Sequence, residues 1–170
     1  MNQTKRMKQG LKFKSKAQLT GTLAIYKTYE TSEGVKKVLH FKKKNVITLT
    51  AKQRILAGVY LTNTSDPVTT LHIGVGGTLD PEGLYPKPVT QNLTGLYNDY
   101  ATIPVTYTIA PTVPSVTFVA DADEGTANGQ LVSEAGLFTL GGVMFNIKTF
   151  PGIDKTAEFG IHFEWTISLA

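Results

Sequence analysis

His40, His72 and His162 carry the imidazoles that can exchange protons near neutral pH, and their placement limits what they can do. No two are close in sequence, and each falls in a stretch that reads as a strand. The chain has no His-Glu-x-x-His pair or similar spacing, so a metal or catalytic centre would need ligands gathered from several strands by the fold. A strand-surface or satisfied core histidine is the better reading of each. The chain holds no cysteine. That removes a disulfide scaffold, a thiolate zinc site, an iron–sulfur cluster and a cysteine nucleophile together.

The other chemistry-bearing stretches fail on spacing. Asp121-Ala-Asp-Glu-Gly125 opens like a calcium loop, but Gly125 stands fifth rather than sixth and Val132 occupies the closing glutamate position. A solvated acidic turn is favoured over a looser oxygen-ligand site. Gly74-Val-Gly-Gly77 follows a strand, yet no Lys-Ser/Thr pair and no helix start come after it. Sharp turning is therefore favoured over phosphate binding. Glu134 lies inside a strand without a GxSxG nucleophile signature around it. A carboxylate at the surface or paired with a basic residue is favoured there over a general base. These readings predict no enzyme, no cofactor and no metal site.

Charge is divided sharply along the chain. Residues 1–44 carry twelve Lys/Arg against Glu30 and Glu33, whereas residues 45–170 carry five against eleven Asp/Glu. Within the front, residues 1–16 hold six basic residues and no acid. They are expected to form an arm that orders only on a partner. Lys5, Arg6, Lys8, Lys12, Phe13, Lys14 and Lys16 are its candidate partner-binding residues. Leu11-Lys-Phe-Lys-Ser-Lys16 alternates as an edge strand added to another subunit would. Nucleic acid is the weaker alternative, because Phe13 is the one stacking ring among these lysines and no nucleic-acid motif is present. Lys36, Lys37, Lys42, Lys43 and Lys44 extend the basic surface.

The elements that must position these groups read mainly as strands. Apolar residues make up 41% of the chain and charged ones 18%, a globular composition. Residues 17–170 are expected to form one domain. Gln18 to Thr28 alternates and turns at Glu33-Gly34 into a returning strand, Val35 to Phe41. One helix is predicted near residues 50–61, with Thr50 as N-cap and Gln53 as its reciprocal partner. Ile55, Leu56, Val59 and Tyr60 form its apolar stripe. Thr70 to Val75 reads as a strand, and Pro-rich residues 76–92 read as a long surface loop. Ile103–Ile109 and Val116–Ala120 are strands separated by Pro111 and Pro114. Leu131–Leu140, Val143–Phe150 and Phe159–Leu169 close the chain as three antiparallel strands, with Gly141-Gly142 a tight turn and Pro151-Gly152 opening the last connection. The final strand sets Phe159, Ile161, Phe163, Trp165, Ile167 and Leu169 on one face. Each large side chain buried there contributes roughly 1.5–3 kcal/mol. The fold class expected is an antiparallel, jelly-roll-like β-sandwich with one helix and an extended N-terminal arm. No apolar stretch approaches the roughly 20 residues of a membrane helix, and no apolar signal core follows the basic N-terminus. The expected setting is a cytosol or a particle assembled in one.

The order of several pieces resembles a recurrent type of small structural protein from tailed bacteriophages. The resemblance covers about residues 40–170 and rests on Asn45–Thr48 before the helix, Leu71–Gly77, Val116–Ala120, Ala127–Phe138 with its Ser-Glu-Ala-Gly-Leu-Phe element, Met144–Asn146, Phe150, Ile153–Thr156 and Phe163–Ile167. The Lys-rich front has no counterpart in it. The resemblance implies a virion component without catalysis, in the capsid decoration, neck or collar, tail or baseplate. Its partners would be other virion proteins and further copies of the chain, with no membrane. The alternative is a glycan-binding fibre or spike domain that uses Tyr85, Tyr97 and Tyr100 beside the long loops.

Overall fold

The computed structural model describes residues 18–60 and 66–169. β1 (Leu19–Thr31) and β2 (Gly34–Lys44) form the first hairpin. Gly34 takes a φ of 111°, a conformation that glycine adopts without steric cost. Leu23 and Ile25 of β1 point into the core. His40 is the extra residue of a bulge, because Ile25 pairs with Phe41 and Tyr26 with Leu39.

β3 (Val46–Ile47) leads into α1 (Leu49–Tyr60). The helix starts earlier than its sequence predicts. Thr48, not Thr50, is the N-cap: its buried hydroxyl accepts the Ala51 amide at 3.1 Å and donates to the Met144 carbonyl at 2.7 Å. The second bond ties the cap to the sheet, which Thr50 does not do. Among the helix residues whose side chains are described, Ala51 is seated in the core.

β4 (Val68–Gly74), β5 (Asp99–Pro104), β6 (Thr106–Ile109), β7 (Ser115–Ala122), β8 (Leu131–Thr139), β9 (Met144–Asp154) and β10 (Gly160–Leu169) complete the body. They assemble into two antiparallel five-stranded sheets, a front one in the order β2-β1-β10-β7-β6 and a back one in the order β3-β9-β8-β4-β5. The fold is mainly β and is a β-sandwich with one helix, as the alternation predicts. Leu23, Ile25, Phe163 and Trp165 of the front sheet meet Leu71, Ile73, Leu137 and Phe150 of the back sheet in one core.

Three local expectations change. The strand expected over Ile103–Ile109 is two strands, β5 in the back sheet and β6 in the front one. The chain changes layers at Val105, whose amide still bonds the Thr69 carbonyl at 3.1 Å. β9 runs through Pro151-Gly152 rather than ending before them. Val132 pairs with Ile153 and Glu134 with Thr149, so the extra residues of β9 bulge out around the proline. β10 leaves β8 and β9 for the other sheet, where it lies between β1 and β7. Among the described residues, no helix is long and apolar enough to cross a membrane.

Candidate functional site

The outer face of the front sheet gathers residues that are far apart in sequence. Antiparallel register places Tyr26 beside His162 and His162 beside Asp121. The His162 ring is 4% exposed. Its Nδ1 lies 2.6 Å from Asp121 Oδ1, and its Nε2 lies 2.9 Å from Lys37 Nζ and 3.2 Å from Glu164 Oε1. A neutral ring donates from Nδ1 to Asp121 and accepts from Lys37; a protonated ring donates from Nε2 to Glu164. Burial pushes the Tyr26 phenol above its ordinary value, and the Glu164 carboxylate beside it adds to the shift. Thr28, Glu30, Lys37, Asp121, Glu124 and His162 line an open cleft of about 700 Å³ here. Among the described residues, no hydroxyl is hydrogen-bonded to His162.

Glu134 sits on the outer face of the back sheet, away from this cleft. It is neither a surface carboxylate nor paired with a basic residue, as its sequence context suggests. The side chain is fully buried, and it accepts the amides of Gly76, Tyr97 and Asn98 at 3.1, 2.8 and 2.7 Å. Those amides bracket residues 75–98, so the carboxylate pins both ends of the long loop to the sheet. Ser133 Oγ accepts the Gly77 amide at 2.9 Å. A Cβ on Gly77 would strike the Ser133 carbonyl, which explains the glycine. The loop then lays Val89, Leu93 and Leu96 over Phe138, Met144 and Ile147. It is a roof over the sheet rather than a free excursion. His72 shares this face, stacked on Phe138 at 4.1 Å with its Nδ1 2.6 Å from Asp99 Oδ2.

The acidic turn after β7 closes on an internal cation. Fully buried Lys155 donates to the Glu124 carbonyl, Asn128 Oδ1 and the Thr156 carbonyl at 2.9, 2.9 and 2.8 Å. Burial lowers the Lys155 pKa, while Asp123 and Glu124 oppose the shift. The Thr126 hydroxyl holds the Asp123 carboxyl below its ordinary value. Three oxygens around the calcium-like turn thus serve an ammonium. Among the described residues, no group of three His, Asp or Glu is placed to hold a metal ion. Gly74 and Gly76-Gly77 open the roof loop, and a Cβ on Gly74 would come within 2.5 Å of the Asn98 carbonyl.

Lys5, Arg6, Lys8, Lys12, Phe13, Lys14 and Lys16 lie outside the described residues. Lys36, Lys37, Lys42, Lys43 and Lys44 all fall on β2, an exposed edge strand of the front sheet. Tyr85, Tyr97 and Tyr100 are exposed, but Lys87 Nζ lies over the Tyr97 ring at 4.9 Å and the Tyr97 hydroxyl donates to the Pro88 carbonyl.

Sequence reading passed over the opposite edge of the front sheet. β6 pairs Tyr107 with Phe118 and Ile109 with Val116, which puts both residues on the core side of the sheet. They are nevertheless 64% and 68% exposed, with Val113 and Leu169 also exposed near this end of the sheet. The available signal was a short uncharged run, Thr106–Ile109, between Pro104 and Pro111. No family model, curated protein or solved structure matches the chain.

Proposed function

We propose that the chain is a non-enzymatic structural component of a tailed-phage virion, which assembles with other virion proteins and its own copies through strand edges and the basic N-terminal arm. One observation carries this reading: the core-side residues of β6 stand uncovered at a sheet edge. Burying a core-facing tyrosine and isoleucine needs a surface from outside the described body. The resemblance over residues 40–170 and the division of charge between front and body support the same reading. In this reading the Glu134 carboxylate and the Lys155 ammonium are construction elements, each consumed by hydrogen bonds within the fold.

The test is incorporation into particles. The full chain is expected in purified particles by mass spectrometry, at a defined position in a cryo-EM map. Deletion of residues 1–16 is expected to leave the circular dichroism spectrum and melting temperature unchanged and to abolish incorporation. Normal incorporation of the truncated chain would overturn the role of the arm. Absence of the full chain from particles would overturn the reading as a whole.

A further inference from the structure

We infer that residues 11–16 of a second copy add to the β6 edge as a sixth strand of the front sheet. The inference rests on the assembly reading above and gives it a location.

The open edges are not equivalent. β2 carries Lys36, Lys37, Lys42, Lys43 and Lys44, and lysines along an edge repel a basic strand. β3 is two residues long, and β5 ends in Pro104 with a register shift beside Gly74. A proline offers no amide to a ladder. β6 alone among these edges combines four residues, no charge and an apolar margin.

The pattern of the segment fits that margin. In an extended strand Leu11 and Phe13 share one face, while Lys12, Lys14 and Lys16 share the other. Beside β6, Leu11 and Phe13 continue the core-side row of Tyr107 and Ile109. The three lysines then face outward with Thr106 and Thr108. No charge is buried and no like charges are brought together.

The chain's own arm is too short to do this. A strand beyond β6 lies four strand spacings from β1, about 19 Å. β6 has four residues, so Leu11–Lys14 is the run that can pair with it, and from Lys14 to Leu19 the chain has five steps, which reach at most about 18 Å fully extended. The occupant therefore comes from another molecule.

Cysteine pairing in the full-length chain tests this directly, because the chain has no native cysteine. A Lys14→Cys chain is mixed with a Thr106→Cys or Thr108→Cys chain under mild oxidation, with Lys43→Cys on β2 as the comparison. Two-chain disulfides are expected at β6, in clear excess over β2. Preference for Lys43→Cys would overturn the β6 assignment while leaving arm-driven assembly standing. Closure within one chain of the Lys14→Cys/Thr108→Cys double variant, without joining of the mixed single variants, would overturn the second-copy occupant. If nothing joins and sedimentation shows monomers at every concentration, the second-copy inference falls, while the virion reading still stands or falls on incorporation into particles. Independently, Ile109→Lys is expected to weaken self-association about tenfold or more, the fold-change of losing one buried aliphatic contact. Unchanged association would overturn the inference.

Discussion

The outer faces of the two sheets are finished in different ways. The back sheet is roofed by residues 75–98, held by a carboxylate with no exposure and sealed by Val89, Leu93 and Leu96. The front sheet has a charged network around His162 that opens into a cleft. Both faces carry an ionisable residue on a central strand, Glu134 on β8 and His162 on β10. Glu134 meets backbone amides, which have no other acceptor once the loop is down. His162 meets the exposed ends of other side chains, which water can replace. A buried carboxylate that organises backbone is structural in a way that a buried ring bonded to the exposed ends of side chains is not.

Four substitutions probe that contrast, from the largest expected effect to the smallest. Glu134→Ala strips the acceptor from the Gly76, Tyr97 and Asn98 amides and should cost about 3–5 kcal/mol in denaturant unfolding. Amide exchange should rise first in the roof loop. Lys155→Met leaves two carbonyls and Asn128 without their donor, and about 2–3 kcal/mol is expected from the same measurement.

Asp66→Asn should act through pH. The Gly141 amide holds the Asp66 carboxyl below its ordinary value against the effect of burial, with Thr139 and Arg54 adding to it. A depressed carboxyl stabilises the fold above the unfolded value near 3.8 and loses that contribution as pH falls through the folded value. Melting temperature measured from neutral pH down through this window should therefore fall less steeply in Asp66→Asn than in the parent. His162→Gln should cost about 1 kcal/mol or less, because Asp121 and Lys37 can turn to water. A cost equal to that of Glu134→Ala would erase the distinction between the two faces.

Much of the architecture was legible because alternation is a strong local signal. The inward row from Phe159 through Ile167 of β10 is buried as its spacing predicts, whereas Leu169 at its end is exposed. The β1–β2 hairpin and the Gly141-Gly142 turn also follow from residue type, with Gly142 at a φ of 74°. What the chain does between elements was less legible. Ile103 to Ile109 reads as one strand because nothing in its pattern marks the change of sheet at Val105. By sequence Thr50 is the cap, because Gln53 stands three residues on, and the Met144 carbonyl across the sheet that instead favours Thr48 lies outside any local window. The sites suffered most. His162, Asp121 and Lys37 are joined by register across three pairs of strands, which no single window of sequence contains. Glu134 looks like a surface carboxylate until the loop that buries it is in place.

The passage at Val105 has a mechanical corollary. β5 and β6 are consecutive lengths of one polypeptide, yet each is laced into a different layer. Sliding one layer over the other must strain that continuous backbone and pull on two hydrogen-bonded ladders together. A lateral load applied at the β6 margin is thus passed through covalent bonds to the opposite layer.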